Sequence, residues 1–211
     1  MKSSHSLSPA IRIGRRCGAR LPALALFLSS LVAVSALGAG IPEPDETEWL
    51  ASYFTSPLWD AGRHQTFNFA GVTARAVWPL EFDSFGGQQW SLVGDLLCAR
   101  VVNGFDPNAV VVGPSVGLMY RLLPHAATFS PYLLGSVGAL YTDAYRDRSQ
   151  DQLGEALEFK STLAVGSRLR LSSDWSGVAE VSLNHISDGG LSKRNCGVNA
   201  LGFSLGVEVK L

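Results

Sequence analysis

From Asn199 to Leu211 the chain alternates without a break. Asn199, Leu201, Phe203, Leu205, Val207, Val209 and Leu211 fall on one face, and Ala200, Gly202, Ser204, Gly206, Glu208 and Lys210 on the other. A period of two is the signature of a strand with one apolar and one polar side. The pattern recurs upstream. Leu157–Leu171 sets Phe159, Leu163, Val165, Leu169 and Leu171 against Glu158, Lys160, Arg168 and Arg170, and Val110–Leu122 sets Val110, Val112, Val116, Leu118, Tyr120 and Leu122 against Gly113, Ser115, Gly117 and Arg121. Phe129–Thr142 and Gln88–Val102 follow the rule with more noise, Ala179, Val181 and Leu183 mark another stripe, and His64–Leu80 and Glu48–Thr55 complete the set. Apolar residues on one face with Glu, Lys and Arg opposite are the arrangement of a membrane barrel, whose outer wall is greasy and whose interior is polar.

The segments number eight, an even count that closes a sheet and leaves no edge in lipid. The expected fold is therefore all-β, an eight-stranded antiparallel transmembrane β-barrel with both strand termini on the periplasmic side. A barrel of that size is filled by its own side chains. Glu158, Lys160, Arg168, Glu180, Glu208 and Lys210 are expected to form an internal ion-pair network, with no solute channel. A soluble ligand-holding barrel would need the apolar faces turned inward and the charges outward, which leaves the interior without any of these groups. Trp49, Trp59, Trp78, Trp90, Trp175, Tyr53, Tyr120 and Tyr141 fall mostly near strand ends, where interfacial aromatic girdles sit.

Residues 1–38 read as a signal peptide and 39–211 as the barrel. Lys2, Arg12, Arg15, Arg16 and Arg20 precede an apolar run from Leu21 to Leu37, followed by small residues at Gly38 and Ala39. A net charge of -1, from 17 Lys and Arg against 18 Asp and Glu, excludes the basic balance of a nucleic-acid binder. Cys17 precedes the apolar run, leaving Cys98 and Cys196, which permit a disulfide without implying one.

Two of the apolar stripes end in polar, reactive groups. The face of Ala179, Val181 and Leu183, continued by twos, reaches His185 and Ser187, which lie roughly 6.5–7 Å apart along an extended backbone and point the same way. Asn199 opens the neighbouring strand and can approach His185 across the ladder. Base, nucleophile and orienting group then come within hydrogen-bond reach. The same residues also suit a plain turn, because Ser, Asp, Asn and Gly are the commonest turn formers, and both readings stand on spacing alone.

The stretch NHISDGGLSKRNCGVN resembles the signature of the PagL family, the lipid A 3-O-deacylases of Gram-negative outer membranes. It matches closely over this motif and loosely over the strands before it. The family pattern is His, any residue, Ser, Asn, a small residue and Gly, followed by Asn-x-Gly-x-Glu. His185, Ser187, Gly189, Gly190, Asn195 and Gly197 fit it, while Asp188 replaces the asparagine and Asn199 the glutamate. The resemblance implies an outer-membrane barrel in which Ser187 attacks an ester of lipid A, His185 acts as base, and Asn199 holds the imidazole. The oxyanion segment falls on Asp188, Gly189 and Gly190. An ionised aspartate cannot donate to an oxyanion, which leaves that role to the glycine N–H groups. An asparagine carbonyl can fix the imidazole tautomer but supplies no charge to stabilise an imidazolium.

Arg63, Arg146, Arg148, Lys193 and Arg194 lie in expected external loops, where cations can meet lipid A phosphates. The histidines show no metal-ligand spacing and no phosphate-binding glycine loop is present, so neither metal nor cofactor is expected. The implied partner is lipid A or lipopolysaccharide in the outer leaflet, with a homodimer left open. The competing expectation is a non-catalytic small barrel of the OmpA or OmpX type.

Overall fold

A computed structural model describes residues 43–56, 66–80, 89–103, 108–124, 127–194 and 196–211. The signal peptide expected at 1–38, Trp59, Arg63, His64 and Asn195 lie outside the described residues.

Eight strands form a closed antiparallel barrel: β1 (Glu46–Thr55), β2 (Asn68–Leu80), β3 (Gln89–Asn103), β4 (Val110–Arg121), β5 (Phe129–Thr142), β6 (Leu157–Arg170), β7 (Trp175–Ser187) and β8 (Val198–Lys210). Each strand pairs with its neighbours in sequence, and β1 closes on β8 from Glu46↔Lys210 to Thr55↔Leu201. Every backbone ladder is thus taken up, the condition for a sheet to cross hydrocarbon. Strands of 10–15 residues suffice for tilted crossing. The connection after β6 is tight, from Leu171 to Asp174. Ser172 Oγ accepts the N–H groups of Asp174 (3.3 Å) and Trp175 (3.1 Å), so that β7 already begins at Trp175.

The alternation decides which side each residue takes. Leu163, Val165, Leu169, Val181, Leu183, Phe203, Leu205 and Val207 are exposed on the outer wall, as are Trp49, Trp90, Trp175, Tyr53 and Tyr141. An outer surface this apolar is stable in a bilayer and an aggregation hazard in water.

The interior is stratified. Near the rim where β1 begins and β8 ends, three arginines gather the carboxylates. Arg75 binds Asp95 (2.8 Å), Glu48 (2.9 Å) and Glu180 (3.0 Å), and Tyr132 donates to Glu180 at 3.0 Å. Arg121 binds Glu46 and Glu208, and Arg168 binds Glu208 at 2.9 Å. Buried charges persist only when paired in this way. The expected network is therefore present with different members. Arg75, Arg121, Glu46, Glu48 and Asp95 join Arg168, Glu180 and Glu208 in it, whereas buried Glu158 accepts the Glu155 N–H at 3.2 Å, Lys160 is buried with no ion pair among the described residues, and Lys210, the last residue of its stripe, is exposed at the rim. Toward the opposite rim the filling turns apolar, with Phe54, Phe67, Phe69, Leu97, Val101, Val111, Leu140, Ile186 and Val198 in one cluster. Phe54 and Phe69 stack there at 4.5 Å.

Candidate active site

That second rim carries the β5–β6 and β7–β8 loops. On β7, His185 has Ser161 of β6 and Asn199 of β8 as its cross-strand partners, and Ser187 pairs with Phe159. Ile186, between the two polar residues, points inward and is buried against Val198 in the apolar cluster. Strand alternation thus turns His185 and Ser187 to the outer wall while the residue between them anchors the strand.

Their side chains meet. His185 Nε2 lies 3.1 Å from Ser187 Oγ, and His185 Nδ1 lies 2.8 Å from Asn199 Oδ1. An amide oxygen only accepts, so Nδ1 carries the proton and Nε2 is left to accept from the Ser187 hydroxyl. This is the order of donors that a general base requires of a histidine beside a nucleophile. His185 is exposed on the outer wall, whereas Ser187 is nearly covered.

The covering element is the β7–β8 loop. Gly189 and Gly190 adopt φ of 70° and 88°, and Asp188, fully buried, ties the turn through Oδ1 to the N–H groups of Gly190 (2.8 Å) and Leu191 (3.1 Å) and through Oδ2 to that of Ser192 (2.9 Å). Gly190 thus spends its N–H on Asp188. The Gly189 N–H has no hydrogen bond among the described residues. Gly197 closes the loop at φ 72°, and a side-chain carbon added there would stand 3.0 Å from His185 Cε1 and 3.5 Å from Ser187 Cβ. Only glycine takes that backbone conformation without strain and leaves the histidine its place.

A second loop braces the first. Arg194 donates to three carbonyls of the β5–β6 loop, those of Tyr145 (2.8 Å), Asp147 (3.1 Å) and Gln150 (3.2 Å). Cys196 N–H reaches Asp151 O at 3.1 Å, and Gly197 N–H reaches Gln152 O at 2.9 Å. Buried Gln150 holds the bracing loop in shape, donating to Leu153 O (2.7 Å) and accepting from the N–H groups of Gln152 (2.7 Å) and Leu153 (2.8 Å). In the same loop the Asp147 carboxyl is held below its ordinary range by the Ser149 hydroxyl and N–H. Hydrogen bonds from a charged donor are worth about 1.5–3 kcal/mol each. Arg194→Ala should therefore raise cleavage of the β7–β8 loop by a non-specific protease about ten-fold or more, with the barrel still folded by gel mobility. Unchanged cleavage would show that the brace carries no weight.

The other cations are differently placed. Arg146, Arg148 and Lys193 are exposed on the two loops, Arg146 lying 5.9 Å from the centre of the Tyr145 ring. Cys98 and Cys196 are both free. Beside the histidine, an open groove of about 410 Å³ runs along the outer wall between Ser161, Leu163, Leu183, His185 and Asn199. Ser161 escaped the sequence reading. The signal was a gap, because the apolar stripe of β6 steps from Phe159 to Leu163 and skips it.

Fold and rim together define a small membrane β-barrel with a polar cluster set into a greasy outer wall. The chain belongs to the lipid A 3-O-deacylase (PagL) family, whose sequence model matches residues 48–208. The crystal structure of the outer membrane enzyme PagL superimposes with a TM-score of 0.53 at 14% identity, covering 79% of this chain and 99% of that one, a likeness of fold. Two further barrels match over most of their length. Neisserial surface protein A has 12% identity and a TM-score of 0.46, over 79% of this chain and 95% of its own, and OprG from Pseudomonas aeruginosa has 14% and 0.49, over 80% and 96%. No curated protein sequence matches the chain. Family and fold indicate an outer-membrane protein of a Gram-negative cell.

Proposed function

We propose that residues 39–211, exported by a signal peptide at 1–38, form an outer-membrane esterase that removes the 3-hydroxyacyl chain ester-linked at the 3-position of lipid A or a related glycolipid. Ser187 Oγ attacks the ester carbonyl as His185 Nε2 takes its proton, and the tetrahedral oxyanion is met by the Gly189 N–H. Gly190 and Asp188 shape that turn. Collapse breaks the bond to the sugar oxygen, which leaves with the proton from His185. Water, deprotonated by His185, then cleaves the acyl-serine and releases the fatty acid. Asn199 holds the ring throughout, and Arg146, Arg148 and Lys193 are the cations available to phosphates at the membrane surface, Arg194 being engaged in the loop brace.

The observation that carries this reading is the unbroken relay Ser187–His185–Asn199 at 3.1 and 2.8 Å, at the upper edge of an apolar outer wall. Mass spectrometry of lipid A from a Gram-negative host expressing the chain should show loss of one 3-hydroxyacyl mass. Unaltered lipid A, with folded barrel in the outer membrane, would contradict it. The absence of an acidic partner at Asn199 favours a second reading, a non-catalytic barrel that has kept the geometry of the site, and the same spectra separate the two.

A further inference from the structure

Among the side chains bordering the groove, Ser161 belongs to the lipid-facing set. It is partly exposed, stands on the outer wall between Phe159 and Leu163, and is the cross-strand partner of His185. Its hydroxyl has no hydrogen-bond partner among the described residues. A hydroxyl facing hydrocarbon without a partner is costly, and the cost disappears only if something in the groove bonds to it.

The barrel's register says what that something is. Counting down the outer wall from the loop rim, the first row is Phe159 and Ser187, the second Ser161, His185 and Asn199, the third Leu163, Leu183 and Leu201, and the fourth Val165, Val181 and Phe203. An ester held at Ser187, with its acyl chain continuing into the bilayer, passes the second row before reaching the leucines. Ser161 thus sits one row deeper than the nucleophile, on the path of the acyl group and away from the sugar.

The distances agree. Diagonal cross-strand neighbours such as Ser161 and Ser187 are about 7–8 Å apart. A carbonyl carbon poised for attack lies about 3–3.5 Å from the nucleophile, and a hydroxyl-to-hydroxyl bond spans about 2.7–2.8 Å. The carbonyl carbon and the hydroxyl on the third carbon, joined by a bent path, cover the span between the two serines. In a 3-hydroxyacyl chain that hydroxyl is the one polar group beyond the carbonyl, and it too needs a partner in hydrocarbon.

We infer that Ser161 is a specificity-determining residue that binds the 3-hydroxyl of the departing acyl chain, so that the site prefers 3-hydroxyacyl esters to plain acyl esters of equal length. This rests on the esterase reading and adds to it the selection of the acyl group. A bond between two neutral hydroxyls at a partly exposed site corresponds to a preference of about 5- to 10-fold.

The test uses the full barrel in mixed micelles with two synthetic glucosamine 1-phosphate lipids, one carrying 3-hydroxytetradecanoyl and the other tetradecanoyl at the 3-position. Wild type should hydrolyse the hydroxylated lipid faster by that factor. Ser161→Ala should lose the preference by slowing only on the hydroxylated lipid, and Ser161→Thr, which keeps the hydroxyl, should retain it. A preference that survives Ser161→Ala, or a loss equal on both lipids, overturns the assignment and leaves the esterase intact. Failure of wild type to hydrolyse either lipid overturns both.

Discussion

Ser187→Ala abolishes deacylation while the barrel still assembles. The hydroxyl is the group from which the acyl-serine bond would form, and no other hydroxyl is bonded to His185 among the described residues. Loss of the nucleophile in a hydrogen-bonded unit of this kind lowers turnover by about 10³-fold or more. Stability should scarcely change, because Ser187 makes its side-chain bond only to His185 and its inward neighbours, Ile186 and Asp188, keep the strand and turn in place. The check is a comparison of lipid A spectra between wild type and variant, each shown to be folded by gel mobility. Residual turnover in the variant would mean that a water activated by His185, and not Ser187, attacks the ester.

Asn199→Glu raises the rate. In the present site Asn199 Oδ1 at 2.8 Å fixes the His185 tautomer, but the amide brings no negative charge to the imidazolium that forms as Ser187 gives up its proton. Where a buried acid in a triad is replaced by its amide, turnover falls about 10⁴-fold, largely through the wrong tautomer. The tautomer is already correct here, so the missing element is charge alone, and restoring it should gain about 10- to 100-fold. Asn199→Ala, which removes both, should fall below the parent. Steady-state rates on one lipid for the three proteins decide the matter, and a glutamate variant as slow as the alanine one would remove Asn199 from the relay.

The barrel was legible because a membrane wall imposes its rule on every second residue over a whole strand, as β6 and β8 display. The candidate site was legible for a related reason: His185, Ser187 and Asn199 interrupt stripes that are otherwise apolar. What failed to show in the sequence depends on pairings between distant segments. Arg75 and Arg121 become the centres of the ion clusters through strands far apart in the chain, and Lys210 leaves them because a residue at the barrel lip reaches water more easily than a buried carboxylate. Arg194 bonds to backbone carbonyls 44–49 residues upstream. Backbone carbonyls exist at every position, so nothing in composition or spacing marks that contact. The hydrogen bonds of Asp188 to three successive loop N–H groups are likewise invisible until the turn is seen.

The groove beside His185 opens sideways, through the outer wall, and not upward into water. A substrate arriving there never leaves its leaflet. Its effective concentration is a mole fraction among neighbouring lipids, and the frequency of encounter is set by how tightly those lipids are packed and how quickly they change places. The physical state of the leaflet thus becomes a governor of turnover, and a barrel of unchanged structure would work at different speeds in gel-like and fluid surroundings.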